Sequence, residues 1–278
     1  MKNQVILSFI AILFSGFLFS QEESEKHPIL TDRFQAEAGI FLPSKTVKIG
    51  AEASGTVPGE GTEINFGDTF DFNDNEATLF LNFEWRFAKK WKLGVEYFDV
   101  KTAKEAELDE DIVFDNITFE KGTNIRGGFG INMYRIYVGR SFSRGLKHEF
   151  GAGLGVHALN TSAFVEGDVL TSEGDLNFER RAVSALVPLP NIGLWYYYTP
   201  TTKLALTARL DWFGITIGDY SGSLWNIAPG IKYQIFKNVG LGVDYRYFIV
   251  SANVNKSDWN GSFDMTFNGP LFVVHANF

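Results

Sequence analysis

The chain has 278 residues, a formal net charge of −8 and no cysteine. No stripe of basic residues offsets this negative charge, so a nucleic-acid partner is not expected. The lack of cysteine excludes disulfides, thiolate metal sites and cysteine nucleophiles. The 28 glycines and the 15% aromatic content are typical of many strands joined by tight turns.

The first twenty residues predict a signal peptide, residues 1–20. Lys2 precedes an apolar run from Val5 to Phe19, which ends at the small residue Ser20. This order of charge, apolar segment and small residue is that of a cleaved secretory signal. The alternative is an uncleaved anchor, but the run is short for a span and no basic flank follows it. We expect the mature chain to leave the cytoplasm and to contain no transmembrane helix.

Downstream, apolar residues recur at every second position, which is the period of a β-strand. In the segment 78–87, Leu79 and Leu81 share one face while Asn82 and Glu84 share the other. Such runs predict about ten strands of roughly 10–15 residues each. The runs are 33–42, 78–87, 91–100, 128–142, 147–158, 186–198, 203–212, 222–236, 239–249 and 264–278.

The composition of the second face indicates which way the strands are oriented. In a soluble sandwich or a lipocalin-like barrel the apolar face would point inward, and the other face would be rich in solvated polar residues. Here the other face carries isolated charges and many glycines, which are poor residues for a solvated strand but leave room beside bulky neighbours. We therefore predict that the apolar face contacts lipid. The glycines are Gly39, Gly94, Gly151, Gly153 and Gly155.

The connections alternate in length. Short turns are expected at 88–90, 143–145, 199–202 and 237–238, and longer, acidic loops at 44–76, 103–126, 159–185 and 253–263, with one short exception at 218–222. This asymmetry, together with aromatic residues near the short turns, is typical of outer-membrane barrels. The aromatic residues are Trp85, Phe87, Trp91, Phe142, Tyr196, Tyr198, Phe236 and Phe278.

We therefore predict an all-β fold, a closed antiparallel transmembrane β-barrel of about ten strands with meander topology. Both termini are expected on the short-turn, periplasmic side, which requires an even number of strands. Eight or twelve strands would fit with other loop assignments.

The last strand ends in an aromatic residue, and its outward positions are Phe272, Val274, Ala276 and Phe278. This end resembles the C-terminal signal that the barrel assembly machinery of Gram-negative bacteria recognises. From 33 to 278 the chain resembles small outer-membrane β-barrel proteins, a functionally mixed family, notably in the segments 108–125 and 132–142. The resemblance implies residence in the bacterial outer membrane, with 21–32 as a periplasmic extension and 33–278 as the barrel. It also implies that outer-membrane lipid, lipopolysaccharide and the assembly machinery are partners.

The predicted inner face carries charges of both signs. Opposite charges inside a narrow barrel are expected to pair, because an isolated charge away from water is costly. We expect an ion-pair network that plugs the lumen, and a narrow selective pore is the alternative. The residues are Glu37, Glu84, Glu96, Glu149, Asp211 and Asp244 together with Arg86, Arg135, Arg209, Lys232 and Arg246.

A hydrolase is the second class of function that the sequence leaves open. None of the four histidines forms a His-x-Ser pair of the kind found in outer-membrane phospholipases. His157 is expected near the outer rim, where Asp211, Asp219 or Asp168 could accompany it. We expect no catalytic site and keep a rim hydrolase based on His157 as the alternative.

Two other motifs have ordinary structural explanations. The segment GAGLGVH at 151–157 spaces its glycines at strand period, which predicts packing against the lumen and not a phosphate loop. The acidic clusters at 68–74 and 105–111 do not match a calcium-loop spacing, so no metal and no cofactor is expected. The aromatic segment 65–72 is expected to fold over or into the mouth of the barrel, or to extend strands above the membrane.

Overall fold

The computed structural model describes residues 26–53, 62–65, 76–109, 111–114, 117–170, 176–256 and 259–278. The expected signal peptide, residues 21–25 of the expected extension and the loop segment 66–75 lie outside the described residues. Within the described ranges, no helix is long and apolar enough to cross a membrane.

The described residues form one short helix and fourteen strands. The elements are α1 (Pro28–Thr31), β1 (Phe34–Phe41), β2 (Ser44–Ala53), β3 (Thr62–Asn65), β4 (Thr78–Ala88), β5 (Trp91–Glu107), β6 (Ile112–Phe114), β7 (Ile117–Phe119), β8 (Asn124–Arg144), β9 (His148–Leu170), β10 (Leu176–Tyr198), β11 (Leu204–Ile217), β12 (Tyr220–Gln234), β13 (Val239–Asn255) and β14 (Trp259–Asn277).

Ten of these strands form a closed ring. Each pairs antiparallel with the next in the order β1, β4, β5, β8, β9, β10, β11, β12, β13, β14, and β14 pairs with β1 from Gln35–Asn277 to Phe41–Leu271. The predicted ten-stranded meander is confirmed, and eight or twelve strands are excluded. The start of β1 and the end of β14 lie at the end of the barrel that carries the short turns, which we call the short-turn end.

The first wall strand is longer than the sequence indicated. Residues 271–277 of β14 pair with β1, and residues 259–268 of β14 pair with β2. The strand β2 therefore extends the wall formed by β1, on the same side of β14. Pro43 interrupts the ladder because it has no N–H, while the Leu42 N–H donates to the Pro270 carbonyl at 3.0 Å. The prediction of a loop beginning at residue 44 was therefore wrong.

Other predicted loops are also largely strand. The wall strands β9 and β10 contain 23 residues each and remain paired up to Leu170–Leu176. Their distal outward residues mix polar side chains such as Ser162, Glu166 and Arg180 with apolar ones, so the apolar alternation is interrupted and did not reveal them. The predicted loops 103–126, 159–185 and 253–263 are correspondingly shorter in the structure. The short connection expected at 218–222 is confirmed as a tight turn between β11 and β12, where Gly218 has a positive φ of 57°.

The predicted orientation of the two faces is confirmed. Leu79, Leu81 and Phe83 are 52%, 42% and 43% exposed, whereas Glu96 and Arg135 are 1% and 2% exposed. An apolar exterior around a charged interior is the reverse of a soluble domain. The inward glycines leave room for rings, as predicted, because a Cβ on Gly151 would overlap the indole of Trp195.

A pair of substitutions on neighbouring residues tests this orientation. Leu206 is 40% exposed beside Ile231 on the outer face, whereas Thr207 points inward beside Gly230. Leu206→Arg is expected to reduce the folded yield in lipid vesicles far more than Thr207→Arg, because a lipid-facing arginine near the midplane costs about 2–4 kcal/mol. Equal folded yields of the two variants, measured by heat-modifiable gel mobility, would contradict the orientation.

Candidate functional site in the barrel interior

The centre of the barrel holds a buried carboxylate between two arginines. Arg209 Nη1 lies 2.6 Å from Glu96 Oε2, and Arg246 Nη1 lies 2.6 Å from Glu96 Oε1. The three residues come from β5, β11 and β13, so the contacts cross the lumen. Each carboxylate oxygen therefore has its own cationic partner, which offsets the cost of removing the charge from water.

Asp211 organises the adjoining part of the same layer. Its Oδ1 accepts from Arg135 Nη2 at 2.7 Å and its Oδ2 accepts from Asn226 Nδ2 at 2.9 Å. His157 Nε2 lies 3.7 Å from Asp211 Oδ2, and His157 Nδ1 donates to Asn191 Oδ1 at 3.0 Å. Among the three acids considered for His157, Asp211 is therefore the neighbour.

His157 does not lie at the rim, as the sequence had suggested. Its exposed fraction is 0%, and its ring packs 5.9 Å from that of Phe248. The strand β9 was expected to end near 158 but continues to Leu170, which places His157 near the middle of the strand. The expected rim position is corrected, and a substrate at the mouth would not reach this imidazole.

A second group of charges lies nearer the short-turn end. Glu149 accepts from Arg86 Nη1 and Nη2 at 3.1 and 3.0 Å, and its Oε1 also accepts from Ser141 Oγ at 2.7 Å. The Nε1 of Trp195 donates to the same oxygen at 3.2 Å. Arg144, which lies toward the rim, places its Nε 3.1 Å from Glu149 Oε2.

Lys92 is an interior residue that the sequence analysis did not name. It donates to Glu84 Oε2 at 2.8 Å and to the Tyr197 hydroxyl at 2.9 Å, and its ammonium lies 4.2 Å from the centre of the Trp195 ring. Its parity along β5 is that of Gly94 and Glu96, a signal that could have identified it. Lys92 therefore adds a buried cation to the network, opposite Glu84.

The remaining predicted network residues form a third group. Glu37 pairs with Lys232 and accepts from Asn82 Nδ2 at 3.2 Å. The carboxylate of Asp244 packs directly over Gly230, where a Cβ would overlap it. The structure thus places all eleven predicted residues on the inner face, in three neighbouring groups. A cavity of about 50 Å³ lies beside Arg209, Arg246 and Lys232, enough for a few water molecules.

The short helix α1 packs against interior residues at the short-turn end of the barrel. Ile29 and Leu30 are each 3% exposed and pack with Tyr137, Trp195 and Tyr197. The helix is held by its backbone carbonyls, because Gln35 Nε2 donates to Ile29 O at 2.8 Å and Arg144 donates to Leu30 O. Residues 28–31 of the expected periplasmic extension therefore contribute to the barrel interior.

His27 caps α1 and is 1% exposed. Its Nδ1 accepts from the Ile29 N–H at 3.1 Å, a bond that requires an unprotonated Nδ1. Burial lowers the pKa of His27 to about 4. The imidazole is therefore neutral at neutral pH, as expected for a side chain buried at the short-turn end of the barrel.

Beyond the charges, toward the long hairpins, buried apolar side chains form a cluster inside the barrel. Phe41, Phe98 and Phe248 are all 0% exposed, and the Phe98 ring meets the Phe248 ring edge-on at 6.0 Å. The guanidinium of Arg246 lies 4.9 Å from the centre of the Phe80 ring, so the charged and apolar layers are in contact. Further along, the hairpin of β6 and β7 buries Phe119 in the same apolar cluster.

The aromatic residues predicted near the short turns lie on the outer face. Phe142 and Phe236 are 62% and 68% exposed, and Trp85 packs edge-on against Phe87.

Within the ranges that the structure describes, there is no group of three or more His, Asp or Glu that could hold a metal ion.

No family model matches the chain, and no curated protein matches it in sequence. Solved structures that resemble it include bacterial outer-membrane β-barrels. The outer membrane protease OmpT of Escherichia coli is 13% identical, with a TM-score of 0.57, over 88% of this chain and 97% of that one. OprG of Pseudomonas aeruginosa is 11% identical, with a TM-score of 0.37, over 92% of this chain and 99% of that one. The toluene transporter TodX of Pseudomonas putida is 9% identical, with a TM-score of 0.38, over 90% of this chain and 91% of that one.

Proposed function

We propose that this protein is an integral outer-membrane barrel with a closed lumen, which acts as a structural or binding protein through its outer surface and long hairpins. The proposal is supported by buried side chains that lie at three successive levels of the lumen. From the short-turn end these are α1 with its aromatic neighbours, the ion-paired layer around Glu96, and the phenylalanine layer around Phe98.

A narrow selective pore is less well supported. Barrels near eight strands can be filled by side chains, whereas open aqueous channels appear at about sixteen. The charges of the middle layer are engaged with one another, and Phe98 and Phe248 seal the layer next to them. An ion would lose its hydration at that apolar layer without gaining a partner, which is costly.

The hydrolase alternative is also less well supported. It needs an accessible base, but His157 is fully buried between Asp211 and Phe248. OmpT is an outer membrane protease, but at 13% identity the likeness extends to the fold alone. No residue of this chain takes a catalytic role from that comparison.

The outer face of the barrel offers two kinds of contact, one through its long hairpins and one through its last strand. The wall strands β8, β9 and β10 continue well beyond the apolar band, so the hairpins project from the membrane. The assembly signal expected on β14 faces outward, with Phe272, Val274 and Phe278 48%, 51% and 41% exposed and Ala276 between them half-buried. We propose that lipid and lipopolysaccharide contact the outer face, and that the assembly machinery engages the last strand during insertion.

Single cysteines test this placement, because the natural chain has none. Asp219 lies in the turn between β11 and β12 at the long-hairpin end, and Lys89 lies in the turn between β4 and β5 at the short-turn end. In intact cells, a membrane-impermeant maleimide is expected to label Asp219→Cys and not Lys89→Cys, because only the first is outside the cell. Both should react after lysis. Labelling of Lys89→Cys alone in intact cells would reverse the orientation, and labelling of neither would contradict outer-membrane residence.

A further inference from the structure

The barrel wall has a notch between β10 and β11 at the long-hairpin end. The two strands pair up to Ile192–Trp212, and among the described residues neither pairs with the other beyond that point. The strand β10 nevertheless extends as far as Leu176, paired with β9 throughout, and β11 extends to Ile217, paired with β12. The ring of strands is therefore interrupted at this level, and we call the interruption between 183–189 and 213–217 the side notch.

Two prolines account for the interruption. Pro188 and Pro190 follow directly beyond the last pair between the strands, and neither has an N–H to donate. The pairing of β10 with β9 continues through both without a change of register, at Pro188–Ala158 and Pro190–Val156, so their nitrogens face the β11 side. The same prolines hinder the addition of a strand from another molecule to this edge, because two donors are missing.

The inner side of the side notch is apolar and exposed. Val183 and Val187 on β10 are 44% and 38% exposed, and Ile215 and Ile217 on β11 are 45% and 66% exposed. These four residues have the inward parity of their strands, and no residue in 183–189 or 213–217 is charged. Contiguous exposed apolar surface of this kind is typical of a binding site, here one for an apolar ligand.

The side notch adjoins the buried apolar cluster of the barrel. Leu189, at the lower end of the notch, is 8% exposed and belongs to the same cluster as Leu224 and Phe248, which are both 0% exposed. A ligand in the notch would thus rest on apolar side chains, and the buried phenylalanines would separate it from the charges around Glu96. The notch is therefore compatible with a closed lumen.

The level of the side notch indicates how a ligand reaches it. Trp212 and Trp225 are paired on the outer face with ring centres 6.2 Å apart, and tryptophan is typical of the boundary between membrane and water. The next outward pair toward the long hairpins is Gly214 and Ser223, so the notch opens just above the hydrocarbon. The acyl chains of lipids lie below that level, whereas a small apolar solute dissolved in the membrane can move up into the notch.

We propose that the side notch binds a small uncharged aliphatic solute that partitions into the membrane, with the chain of the solute against Val187 and Ile215. The site rests on the proposed function, since it specifies what a barrel with a closed lumen binds at its outer surface. The absence of charge in 183–189 and 213–217 disfavours an ionic ligand, and the two prolines disfavour a peptide strand. An aliphatic solute needs neither charges nor backbone donors, and it covers the exposed valine and isoleucine side chains.

Protection of single cysteines in lipid nanodiscs tests the site, because the natural chain has no cysteine. Ala185→Cys places a thiol on the inner side of the notch, and Ser184→Cys places one on the outer side of the same strand; both positions are exposed. Each variant, with folding verified by heat-modifiable mobility, is labelled with a maleimide at increasing concentrations of 1-octanol. Octanol at several times its dissociation constant is expected to slow the labelling of Ala185→Cys at least about fivefold, and to leave that of Ser184→Cys unchanged.

A second substitution assigns the protection to the lining of the notch. Added to Ala185→Cys, Val187→Ser should raise the octanol concentration that gives half-maximal protection at least about threefold, because it removes apolar contact area. The matched control is Leu186→Ser, on the outer side of the same strand and 69% exposed, which should leave that concentration unchanged.

Three results would overturn the site. Ala185→Cys that does not react even without octanol would show that the notch is already covered, by another part of the chain or by a second copy. Equal labelling of Ala185→Cys with and without octanol, or equal slowing at both cysteines, would show that octanol does not bind in the notch. Equal effects of Val187→Ser and Leu186→Ser would exclude the proposed lining. Because nanodiscs leave both ends of the barrel accessible, failure of the cysteine labelling in cells would count against the placement and not against this site.

Discussion

Replacing Glu96 by glutamine is expected to destabilise the folded barrel by about 3–5 kcal/mol, because the change leaves Arg209 and Arg246 buried without their shared counter-charge. Both guanidiniums approach Glu96 at 2.6 Å, and Glu96 is 1% exposed, so bulk water does not compensate for the loss of the carboxylate charge. The free energy of unfolding can be measured by urea titration of protein folded into vesicles.

The matched control is Glu179→Gln. Glu179 pairs with Arg181 at 3.4 Å, but both side chains are at least 30% exposed. A solvated ion pair contributes about 0–1 kcal/mol, so this variant should remain close to the wild type. If the two glutamine variants had equal stabilities, the ion-paired layer would not be a desolvated structural element.

A double substitution separates the ion pair from the general effect of truncation. Arg209→Ala leaves Glu96 with Arg246 alone, and adding Glu96→Ala removes the carboxylate that had lost its second partner. Since Arg209 and Glu96 are in contact, the two changes should not be additive, with a coupling free energy of about 0.5–3 kcal/mol. Strict additivity would show that the contact contributes nothing to stability.

The second large effect is expected in the phenylalanine layer. Phe248 is 0% exposed and contacts the rings of Phe98 and His157. Phe248→Ala should lower the free energy of unfolding by about 3–5 kcal/mol, because it removes buried apolar surface and leaves a cavity. Phe236 is 68% exposed on the outer face near a short turn, so Phe236→Ala should cost less than half as much in the same urea titration. The reverse order of the two variants would indicate that the lumen is not packed at Phe248.

The barrel itself was predictable from the sequence because lipid imposes a strict rule on each wall strand. Every second residue must be apolar within the hydrocarbon, and the closing turns on one side can be short. The segments 78–87 and 239–249 show this alternation clearly, and both are wall strands in the structure. The inward orientation of Glu96 and Arg135 followed from the same parity.

The parts beyond the hydrocarbon were not predictable in this way. The outward residues Ser162, Glu166 and Asp168 on β9 are polar, so the strand was interpreted as a loop, and His157 was placed at a rim that lies much further along the chain. Outside the membrane, outward residues no longer contact lipid, so apolar residues need not recur at every second position of a strand. The docking of α1 depends on contacts of Ile29 and Leu30 with residues distant in sequence, which no local pattern encodes.

The central claim, a lumen closed at three levels, is tested most directly by the conductance of the purified wild-type protein in planar lipid bilayers. Barrels whose folding is verified by heat-modifiable mobility, once inserted into the bilayer, are expected to show no steady conductance above that of the protein-free bilayer. Arg209→Ala should also remain closed despite its lower stability, because the layer of Phe41, Phe98 and Phe248 is intact. Steady, ion-selective conductance of the wild-type protein would contradict the closed lumen and favour a porin-like role.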